Sequence, residues 1–598
     1  MIVSFKSYLQ HGLKVLKTQG VGALARLIRR QLDRRAGRYY QGFYDYGYEG
    51  WLKRKQSPAA SAPRSDGPLI SIVVPVYNVG VEWLQAAVQS VIDQRYTNWQ
   101  LCLVDDASTS ADIAQTLQRF AASDSRIVVK TNKENMGIAV SSNTAIGMAR
   151  GQYIALLDHD DLLTTDALLE VVNAIDQNPA AEFFYSDEDK VDQSGRFNTP
   201  FFKPDYSPEL LLSQNYIGHL VVIRSELIRR LQGFRMGYDG AQDYDLVLRA
   251  TAAAAQVIHI PRVLYHWRQI PGSTASVYGE KSYAWAAGKR ALDDFIVTRV
   301  PGTTVETAEI PGTYRVRYPV EGHPAVSVII PFRDQPQLLD QCLSSVFSHT
   351  AWQNIEVIGI DNQSIDPAIQ EVKKRWVARD DRVRFVDYDQ PFNFSAICNQ
   401  GVVLARGEYI VLLNNDVEIV SDQWIESMLG LAQQQSIGAV GALLHYPDQR
   451  VQHAGIVVGI AGNAGHPFKT FSSSLPGYFG RLKITSNVSA VTAALLMVSR
   501  SKYLEVGGLD ETLFAVALND VDLCLKLQQT GYRNVINADC QAIHFESVSR
   551  GSDRDPMKKV RYLNEVQAFE NKWAAFIENG DPFYNPNLTL ISEDYTLR

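Results

Sequence analysis

Acidic and amide side chains directly follow an apolar run at two places in this 598-residue sequence. The segment ARGQYIALLDHDD, residues 149–161, ends in three carboxylates and a histidine. The segment ARGEYIVLLNNDV, residues 405–417, carries two amides and one carboxylate after its apolar run. Carboxylate and amide oxygens bind Mg²⁺ and Mn²⁺, usually together with phosphate oxygens. The two segments therefore indicate two places for a cation and a phosphorylated ligand.

The two segments belong to an internal repeat, whose halves are called the first and the second copy. ISIVVPVYN at residues 70–78 matches VSVIIPFRD at 326–334, and LCLVDDAST at 101–109 matches VIGIDNQSI at 357–365. The acidic segments provide the third match at the same spacing along the chain. A constant offset over three matches in order indicates a duplicated domain.

Strands and helices alternate in each copy. An apolar, β-branched run ends at a proline, and a helix, a second apolar run ending in acid, another helix and a third short strand follow. Strands that are apolar on both faces and alternate with helices are typical of a parallel α/β sheet. Ligands of such sheets bind at the carboxyl ends of the strands. The sequence therefore predicts two tandem α/β domains with Rossmann-like, mostly parallel sheets.

Composition sets the boundaries of the predicted parts. Residues 56–68, SPAASAPRSDGPL, have the composition of a linker, and residues 300–325 are rich in proline and glycine. The predicted parts are a basic helical N-terminal segment with its linker at 1–66, a first domain at 67–312, and a second domain with an irregular tail at 313–598.

Charge is distributed unevenly along the chain. The net charge is −7, yet residues 1–55 contain twelve lysines and arginines and three acids. The acidic remainder argues against nucleic-acid binding. The basic segment has an amphipathic helical pattern that suits an anionic membrane surface, and a helical cap on an acidic domain is the alternative. The sequence has no run approaching the roughly 20 apolar residues of a membrane span.

Taken in order, the matched pieces resemble family-two glycosyltransferases of GT-A fold, and they do so twice. The pieces are VVPVYN, VDDAS, ARGQYIALLDHDD and GAQDYDLVLR in the first copy, and VIIPFRD, IDNQS, ARGEYIVLLNNDV and LNDVDLCLKL in the second. The resemblance covers roughly residues 68–290 and 324–555. It implies sugar transfer from a nucleotide-sugar donor, with Mg²⁺ or Mn²⁺ on the donor diphosphate.

The resemblance also implies which residues contact the nucleotide. The ends of the first two strands would hold the base, and either member of each acidic pair could read it. A turn-forming Asp or Asn is the alternative at these positions. The expected residues are Pro75, Tyr77, Asp105, Asp106 and Asp158 in the first copy, and Pro331, Asp361, Asn362 and Asn414 in the second.

Metal ligands are implied in both copies. Asp160 and Asp416 would hold the cation, and His266 and His544 would complete its shell or touch the diphosphate. A satisfied structural histidine is the alternative. The neutral amides of the second copy coordinate a cation more weakly, which puts its metal dependence in more doubt. Asp161 is expected to cap the following helix.

A general base is needed because an acceptor hydroxyl is a poor nucleophile until a carboxylate takes its proton. The resemblance implies Asp243 and Asp520, each at the start of a helix, where negative charge is stabilised. Asp245 and Asp522 follow two positions later, and the roles could be exchanged. The offset between equivalent residues of the two copies is larger at Asp243 and Asp520 than at the earlier matches. This difference indicates an insertion in the second copy before Asp520.

The sequence therefore predicts a bifunctional inverting glycosyltransferase that extends a cell-surface glycan on a lipid-linked or oligosaccharide acceptor. Its resemblance to bacterial O-antigen and capsule enzymes places it in the cytoplasm, peripheral at the inner face of the plasma membrane. One active domain with a degenerate glycan-binding or structural second copy is the alternative. A nucleotidyltransferase would need a glycine-rich loop with Arg or Lys after the first strand, and VVPVYNVG and VIIPFRDQ lack it.

Overall fold

Each copy of the repeat is built around its own sheet in the computed structural model, which describes residues 47–55, 63–270, 282–546 and 556–598. The strands of the first copy are β1 (Ile70–Val76), β2 (Trp99–Asp105), β3 (Ile127–Thr131), β4 (Tyr153–Leu156), β5 (Leu162–Leu163), β6 (Phe183–Val191), β7 (Phe197–Phe201), β8 (Val221–Arg224) and β9 (Val257–Arg268). Its helices are α1 (Tyr48–Lys55), α2 (Val81–Ile92), α3 (Ala111–Ser123), α4 (Ile138–Met148), α5 (Ala167–Gln177), α6 (Pro208–Ser213), α7 (Ser225–Arg230), α8 (Gln242–Ala253) and α9 (Ser282–Val297).

The sheet of the first copy has the order β3-β2-β1-β4-β8-β6-β9-β5, with β7 beside β6. Strands β1 to β4 are parallel, and β6 and β9 form a second parallel pair. Strand β8 runs antiparallel between β4 and β6. Because β8 is reversed, the residues just before it lie at the edge where β4 ends. This edge is where ligand-binding residues were expected.

The second copy repeats this order strand for strand. Its sheet runs β14-β13-β12-β15-β22-β17-β23-β16, with β18 beside β17 and β21 beside β23. The strands are β12 (Val326–Phe332), β13 (Ile355–Asp361), β14 (Val383–Asp387), β15 (Tyr409–Leu413), β16 (Val417–Ile419), β17 (Ile437–His445), β18 (Val451–His453), β21 (Ser486–Val488), β22 (Leu495–Ser499) and β23 (Arg533–His544).

Helices and short strands complete the second copy and the joint between the copies. The helices are α10 (Pro336–Ser348), α11 (Pro367–Arg379), α12 (Phe394–Leu404), α13 (Trp424–Ala432), α14 (Arg500–Glu505), α15 (Asn519–Gln529), α16 (Pro556–Lys572) and α17 (Ala574–Asn579). The joint is an antiparallel hairpin of β10 (Thr304–Thr307) and β11 (Tyr314–Arg317), and β19 (Val457–Val458) pairs with β20 (Ala464–Gly465) inside the insertion.

A glycine follows the arginine of both acidic segments for a steric reason. A Cβ on Gly151 would lie 2.6 Å from the backbone nitrogen of Ser71, and one on Gly407 would lie 2.6 Å from that of Ser327. The glycine N–H groups instead donate to the serine hydroxyls, at 2.9 and 2.8 Å. This repeated contact fixes the entry of β4 and β15 against the first strand of each copy.

The insertion of the second copy packs on the first copy. The rings of Phe201 and Phe479 stack with their centroids 3.8 Å apart. The buried carboxylate of Glu209 pairs with Arg533 of β23 at 2.7 Å. One hydrophobic cluster therefore contains buried side chains of both copies, and each copy also has a cluster of its own.

Both described ends of the chain are anchored on strand β6. The Tyr48 hydroxyl of α1 donates to Asp189 at 2.5 Å. In the C-terminal tail, the Asn585 amide donates to both carboxylate oxygens of Asp187, each at 3.0 Å. Of the expected basic N-terminal segment and linker at 1–66, residues 1–46 and 56–62 lie outside the described residues. Among the described helices, none is long and apolar enough to cross a membrane.

Candidate active site

The acid loop, residues 158–161, follows β4 at the carboxyl edge of the first sheet. Asp158 lines a cavity of about 740 Å³. Asp161 turns inward instead, with 1% of its surface exposed. It accepts hydrogen bonds from the Tyr265 hydroxyl at 2.5 Å and from the Arg268 backbone at 2.7 Å. Helix α5 begins after Asp166, so the expectation that Asp161 caps this helix is wrong.

Side chains of strand β9 bind the backbone of the acid loop. The Tyr265 hydroxyl also accepts from the backbone N–H of Asp158 at 3.3 Å, and Arg268 Nε donates to the Asp160 carbonyl at 2.7 Å. Burial raises the pKa of Asp160 and, more strongly, that of Asp161. The charge of Asp158 adds to both shifts. The loop is therefore an acidic site that a cation would stabilise.

His219 joins the acid loop from the reversed strand. It stands just before β8, and its ring stacks on Tyr265 with centroids 4.6 Å apart. One ligand atom from each of Asp158, Asp161 and His219 lies within 4.8 Å of the others. The buried ammonium of Lys203 donates to the His219 carbonyl, and Glu188 accepts from the His219 N–H at 2.7 Å, so this backbone is held in place.

The proposed base of the first copy faces the same cavity. Asp243 is the second residue of α8 and lines the cavity with Asp158 and His219. Its carboxylate accepts from the Asn215 amide at 3.0 Å. Burial raises the pKa of Asp243, His219 opposes the shift, and the charge of Asp158 adds to it. A carboxyl group with a raised pKa is a better proton acceptor near neutral pH.

Asp245 has a different environment, although it lies only two positions from Asp243. It is buried and bonded to Arg235 and to Arg249, whose Nε lies 2.9 Å from the carboxylate. In the second copy the equivalent Asp522 pairs with Lys572 at 2.7 Å and accepts from Trp573 Nε1 at 3.0 Å. The second acid of each helix is therefore bound within the protein, and the assignment of Asp243 and Asp520 as the bases stays a prediction.

The expected nucleotide residues of the first copy lie around the ends of β1 and β2. Pro75 lines the cavity, and Tyr77 is 43% exposed. Asp105 accepts from the Ser108 N–H at 3.0 Å. Burial raises the pKa of Asp106, but hydrogen bonds outweigh it and lower the pKa overall. The donors to Asp106 are Asn132 Nδ2 at 2.7 Å, Met136 N at 2.8 Å and Gly137 N at 2.9 Å.

The equivalent residues of the second copy have different partners within the protein. Pro331 lies in β12, paired with Ile360 of β13. Asp361 accepts from Ser364 N at 2.9 Å and from Lys373 Nζ at 3.0 Å. The Asn362 amide donates to the carbonyls of Tyr388 and Gln390. The buried Asn414 Oδ1 has no hydrogen-bond partner among the described residues.

The two predicted histidine ligands occupy different positions in the two sheets. His544 Nε2 lies 3.2 Å from Asp416 Oδ1. His266 instead bonds to Asp189 through Nδ1. Strand pairing aligns Leu163–Tyr265 with Ile419–Ala542. The equivalents are therefore Trp267 for His544 and Ile543 for His266.

The proposed base of the second copy is held by backbone groups. Asp520 accepts from Ala493 N at 3.1 Å and from Val521 N at 2.9 Å. Burial raises its pKa, as it does for Asp243. Two histidines of the insertion stand nearby: His453 Nδ1 lies 2.9 Å from His466 Nδ1. Burial lowers the pKa of both rings, so they are neutral.

The family model Glycosyl transferase family 2 matches residues 71–231 and 327–503, together more than half of the chain. The chain belongs to glycosyl transferase family 2. Each copy has the GT-A fold of these enzymes, a mixed sheet with a parallel first half and helices on both faces. The two matched regions coincide with the two copies of the repeat.

Curated relatives of this glycosyltransferase extend beyond it. It is 43% identical over 568 residues to an uncharacterized protein, y4gI, of Sinorhizobium fredii, covering 93% of this chain and 62% of the relative. It is 38% identical to the O-antigen biosynthesis protein RfbC of Myxococcus xanthus, covering 92% and 43%. A chondroitin synthase of Escherichia coli is 30% identical over 38% of this chain and 32% of its own. The chain spans less than two thirds of each.

Two solved structures resemble parts of the transferase. Staphylococcus aureus TarS with UDP-GlcNAc matches 38% of this chain and 66% of its own, with a TM-score of 0.32 and 19% identity. The mannosyltransferase PcManGT from Pyrobaculum calidifontis, with GDP-Man and Mn²⁺, matches 51% and 77%, with a TM-score of 0.33 and 16% identity.

Sequence reasoning missed His219 in this transferase. The residue stands in NYIGHLVV, where no acidic or glycine-rich pattern marks it. Only the antiparallel direction of β8 brings it to the edge where β4 ends. The apolar run of β8 does not show in which direction the strand runs. Its antiparallel direction would have had to be predicted from the order of the strands in the sheet.

Proposed function

We propose that the first copy transfers a sugar, with inversion, from a nucleotide-sugar to a hydroxyl of a growing cell-surface glycan. One observation carries this proposal. Asp243, with its raised pKa, faces the same cavity of about 740 Å³ as Asp158. A base and an acidic diphosphate site in one cavity are what a direct displacement needs.

The reaction follows from this placement. Asp243 accepts the proton of the acceptor hydroxyl while the hydroxyl oxygen forms a bond to the anomeric carbon of the donor. The bond from that carbon to the diphosphate breaks, and the diphosphate leaves with the electron pair. Attack opposite to the leaving group inverts the anomeric centre. The Asn215 amide, 3.0 Å from the Asp243 carboxylate, orients the base.

The acid loop and His219 together present ligand atoms that fit a divalent cation. Asp158, Asp161 and His219 present two carboxylates and one imidazole within 4.8 Å of one another. Mn²⁺ accepts both oxygen and nitrogen ligands, and Mg²⁺ prefers oxygen. These residues, with the expected ligand Asp160, would hold the ion. When bound, it would neutralise charge on the donor diphosphate.

The nucleotide would lie along the ends of β1 and β2, against Pro75 and Tyr77. In this arrangement Asp105 is the better base-reading candidate, because Asp106 accepts three hydrogen bonds from its own loop. Asp158 would lie near the ribose. The second-copy set of Pro331, Asp361, Asn362 and Asn414 would serve a second donor in the same way.

For the second copy we propose a second transfer reaction, with Asp520 as its base. The support is that Asp520 keeps the helix position of Asp243 at the same edge of an equivalent sheet. A degenerate glycan-binding or structural copy is the other candidate. The ion pairs Asp416–His544 and Asp361–Lys373 favour this candidate, because both acids already have partners within the protein.

The acceptor and location are proposed from the relatives and from the basic N-terminal segment. Relatives include proteins named for O-antigen biosynthesis and chondroitin synthesis, which supports a lipid-linked or oligosaccharide acceptor. Residues 1–46 would bind an anionic membrane at the cytoplasmic face. Helix α1 belongs to the folded unit, because Tyr48 and Trp51 are buried.

The test is the release of nucleoside diphosphate by the full chain from a panel of nucleotide-sugars, with an oligosaccharide acceptor. At least one donor should be consumed, and Asp158→Ala should abolish consumption at the first site without loss of helical circular dichroism. If no nucleotide-sugar of the panel is consumed, the proposed transfer reaction is wrong.

A further inference from the structure

The two copies differ at Asp158, Asp161 and His219, the three grouped ligands of the first copy. Strand pairing aligns them residue by residue, because Leu156 pairs with Val221 and the equivalent Leu412 pairs with Leu496. Positions before and after these strands can therefore be compared directly. The equivalents are Asn414 for Asp158, Val417 for Asp161 and Ala494 for His219.

These replacements remove the chemistry of a cation site. Val417 and Ala494 are buried and have no donor atom in their side chains. Asn414 keeps only a neutral amide oxygen. Mg²⁺ and Mn²⁺ sites in proteins usually include at least one carboxylate besides phosphate oxygens and water. These three positions of the second copy offer one neutral amide and no carboxylate.

The remaining carboxylate of the second acidic segment is already paired. Asp416 lies 3.2 Å from His544, where the first copy has Trp267. An imidazole beside the carboxylate supplies within the protein the partner that a cation would otherwise supply. The second copy thus has a side-chain pair beside the place where the first copy has its group of three possible ligands.

The two insertion histidines contact each other and the backbone. His453 Nε2 accepts from the backbone N–H of Thr492 at 3.4 Å. The proton of the neutral ring is therefore on Nδ1, which faces His466 Nδ1 at 2.9 Å. This contact uses the pair as donor and acceptor. Within the described parts of the chain, Asp158, Asp161 and His219 form the one group of three possible ligands found.

We infer that the chain binds a single divalent cation, in the first copy and with His219 as its imidazole ligand, and that the second copy binds its ligand without one. The inference rests on the proposed function only for the identity of the ligand, a diphosphate. The two sites would then differ chemically. Removal of metal would stop the first site and leave the second site with its ligand bound.

Counting bound Mn²⁺ on the full chain tests this directly. The electron paramagnetic resonance signal of free Mn²⁺ is measured while metal is added to the wild-type protein, without nucleotide. One ion per chain is expected. Asp158→Asn, which copies the second-copy residue, and His219→Ala should each weaken binding at least about tenfold. Asp416→Asn should leave the count at one.

Each outcome has a distinct meaning. Zero or two ions on the wild-type chain, or loss of the ion in Asp416→Asn, would overturn the inference. The wild-type count needs no variant, and circular dichroism checks the fold of the others. If one ion binds but no nucleotide-sugar is consumed, the proposed function fails and the single cation site stands.

Discussion

Two carboxylates on one turn of helix α8 have different surroundings. Asp243 lines the cavity and has a single side-chain partner, whereas Asp245 is buried between two arginines. The spacing of two residues puts them on different faces of the helix. Position on the helix, and not residue type, therefore decides which acid can meet a substrate.

Asparagine at these two positions should separate catalysis from stability. Asp243→Asn should lower the transfer rate of the first site roughly 10²–10⁴-fold, because the base is lost, with little change in melting temperature. Asp245→Asn is the matched control and should lower the free energy of unfolding by about 1.5–3 kcal/mol through its lost charged hydrogen bonds. Initial rates and thermal melts of both variants check this. Equal melting losses would contradict the division of tasks.

At the scale of elements, the turn into β4 is set by close backbone contact. Gly151 lies where a Cβ would meet the backbone of β1 at 2.6 Å, whereas Gly147 at the end of α4 has nothing within 4 Å of its Cβ position. The first glycine is thus a packing requirement, and the second is only a flexible helical residue. The same reasoning holds for Gly407 in the second copy.

Alanine at the two glycines should shift stability in opposite directions. Gly151→Ala should destabilise the protein by about 1–3 kcal/mol, because the backbone of β1 must move. Gly147→Ala should stabilise it by about 0.5–1 kcal/mol through higher helix propensity. Chemical denaturation of both variants measures these changes. A neutral Gly151→Ala would show that the contact is not as tight as described.

Much of the arrangement of strands and loops could be predicted from the sequence. The strands, the duplicated order and the acid loop follow from local patterns, and the family membership inferred from them is confirmed. The inward turn of Asp161 could not be predicted, because its partners Tyr265 and Arg268 lie more than 100 residues away. His219 was missed for the same reason: its neighbours belong to other strands.

At the scale of the whole molecule, strand β6 ties distant parts of the chain together. Its Asp187 binds His259 of β9 at 2.9 Å and Asn585 of the C-terminal tail. Burial lowers the pKa of His259, but Asp187 and Asp205 outweigh it and raise the pKa above the ordinary value. The carboxylate of Asp187 therefore links the tail to a histidine whose protonated form is favoured by folding.

This network makes part of the stability depend on pH. The raised pKa means that the folded protein holds the His259 proton more tightly than the unfolded chain. The stabilisation is fully present below about pH 6.5 and is lost as the pH rises through the folded pKa. The melting-temperature difference between wild type and His259→Gln should therefore be largest near pH 6 and shrink toward pH 9. A constant difference across this range would contradict the charged state.

The central claim is that one chain contains two transferase sites, with Asp243 and Asp520 as their bases. Mass spectra of the glycan products, made from a defined acceptor by Asp243→Asn and Asp520→Asn alone and mixed, test it most directly. Each variant alone should stall, one before any sugar is added and the other after the first addition, and the mixture should restore chain growth. Normal products from Asp520→Asn alone, with no product from Asp243→Asn and no rescue on mixing, would contradict it.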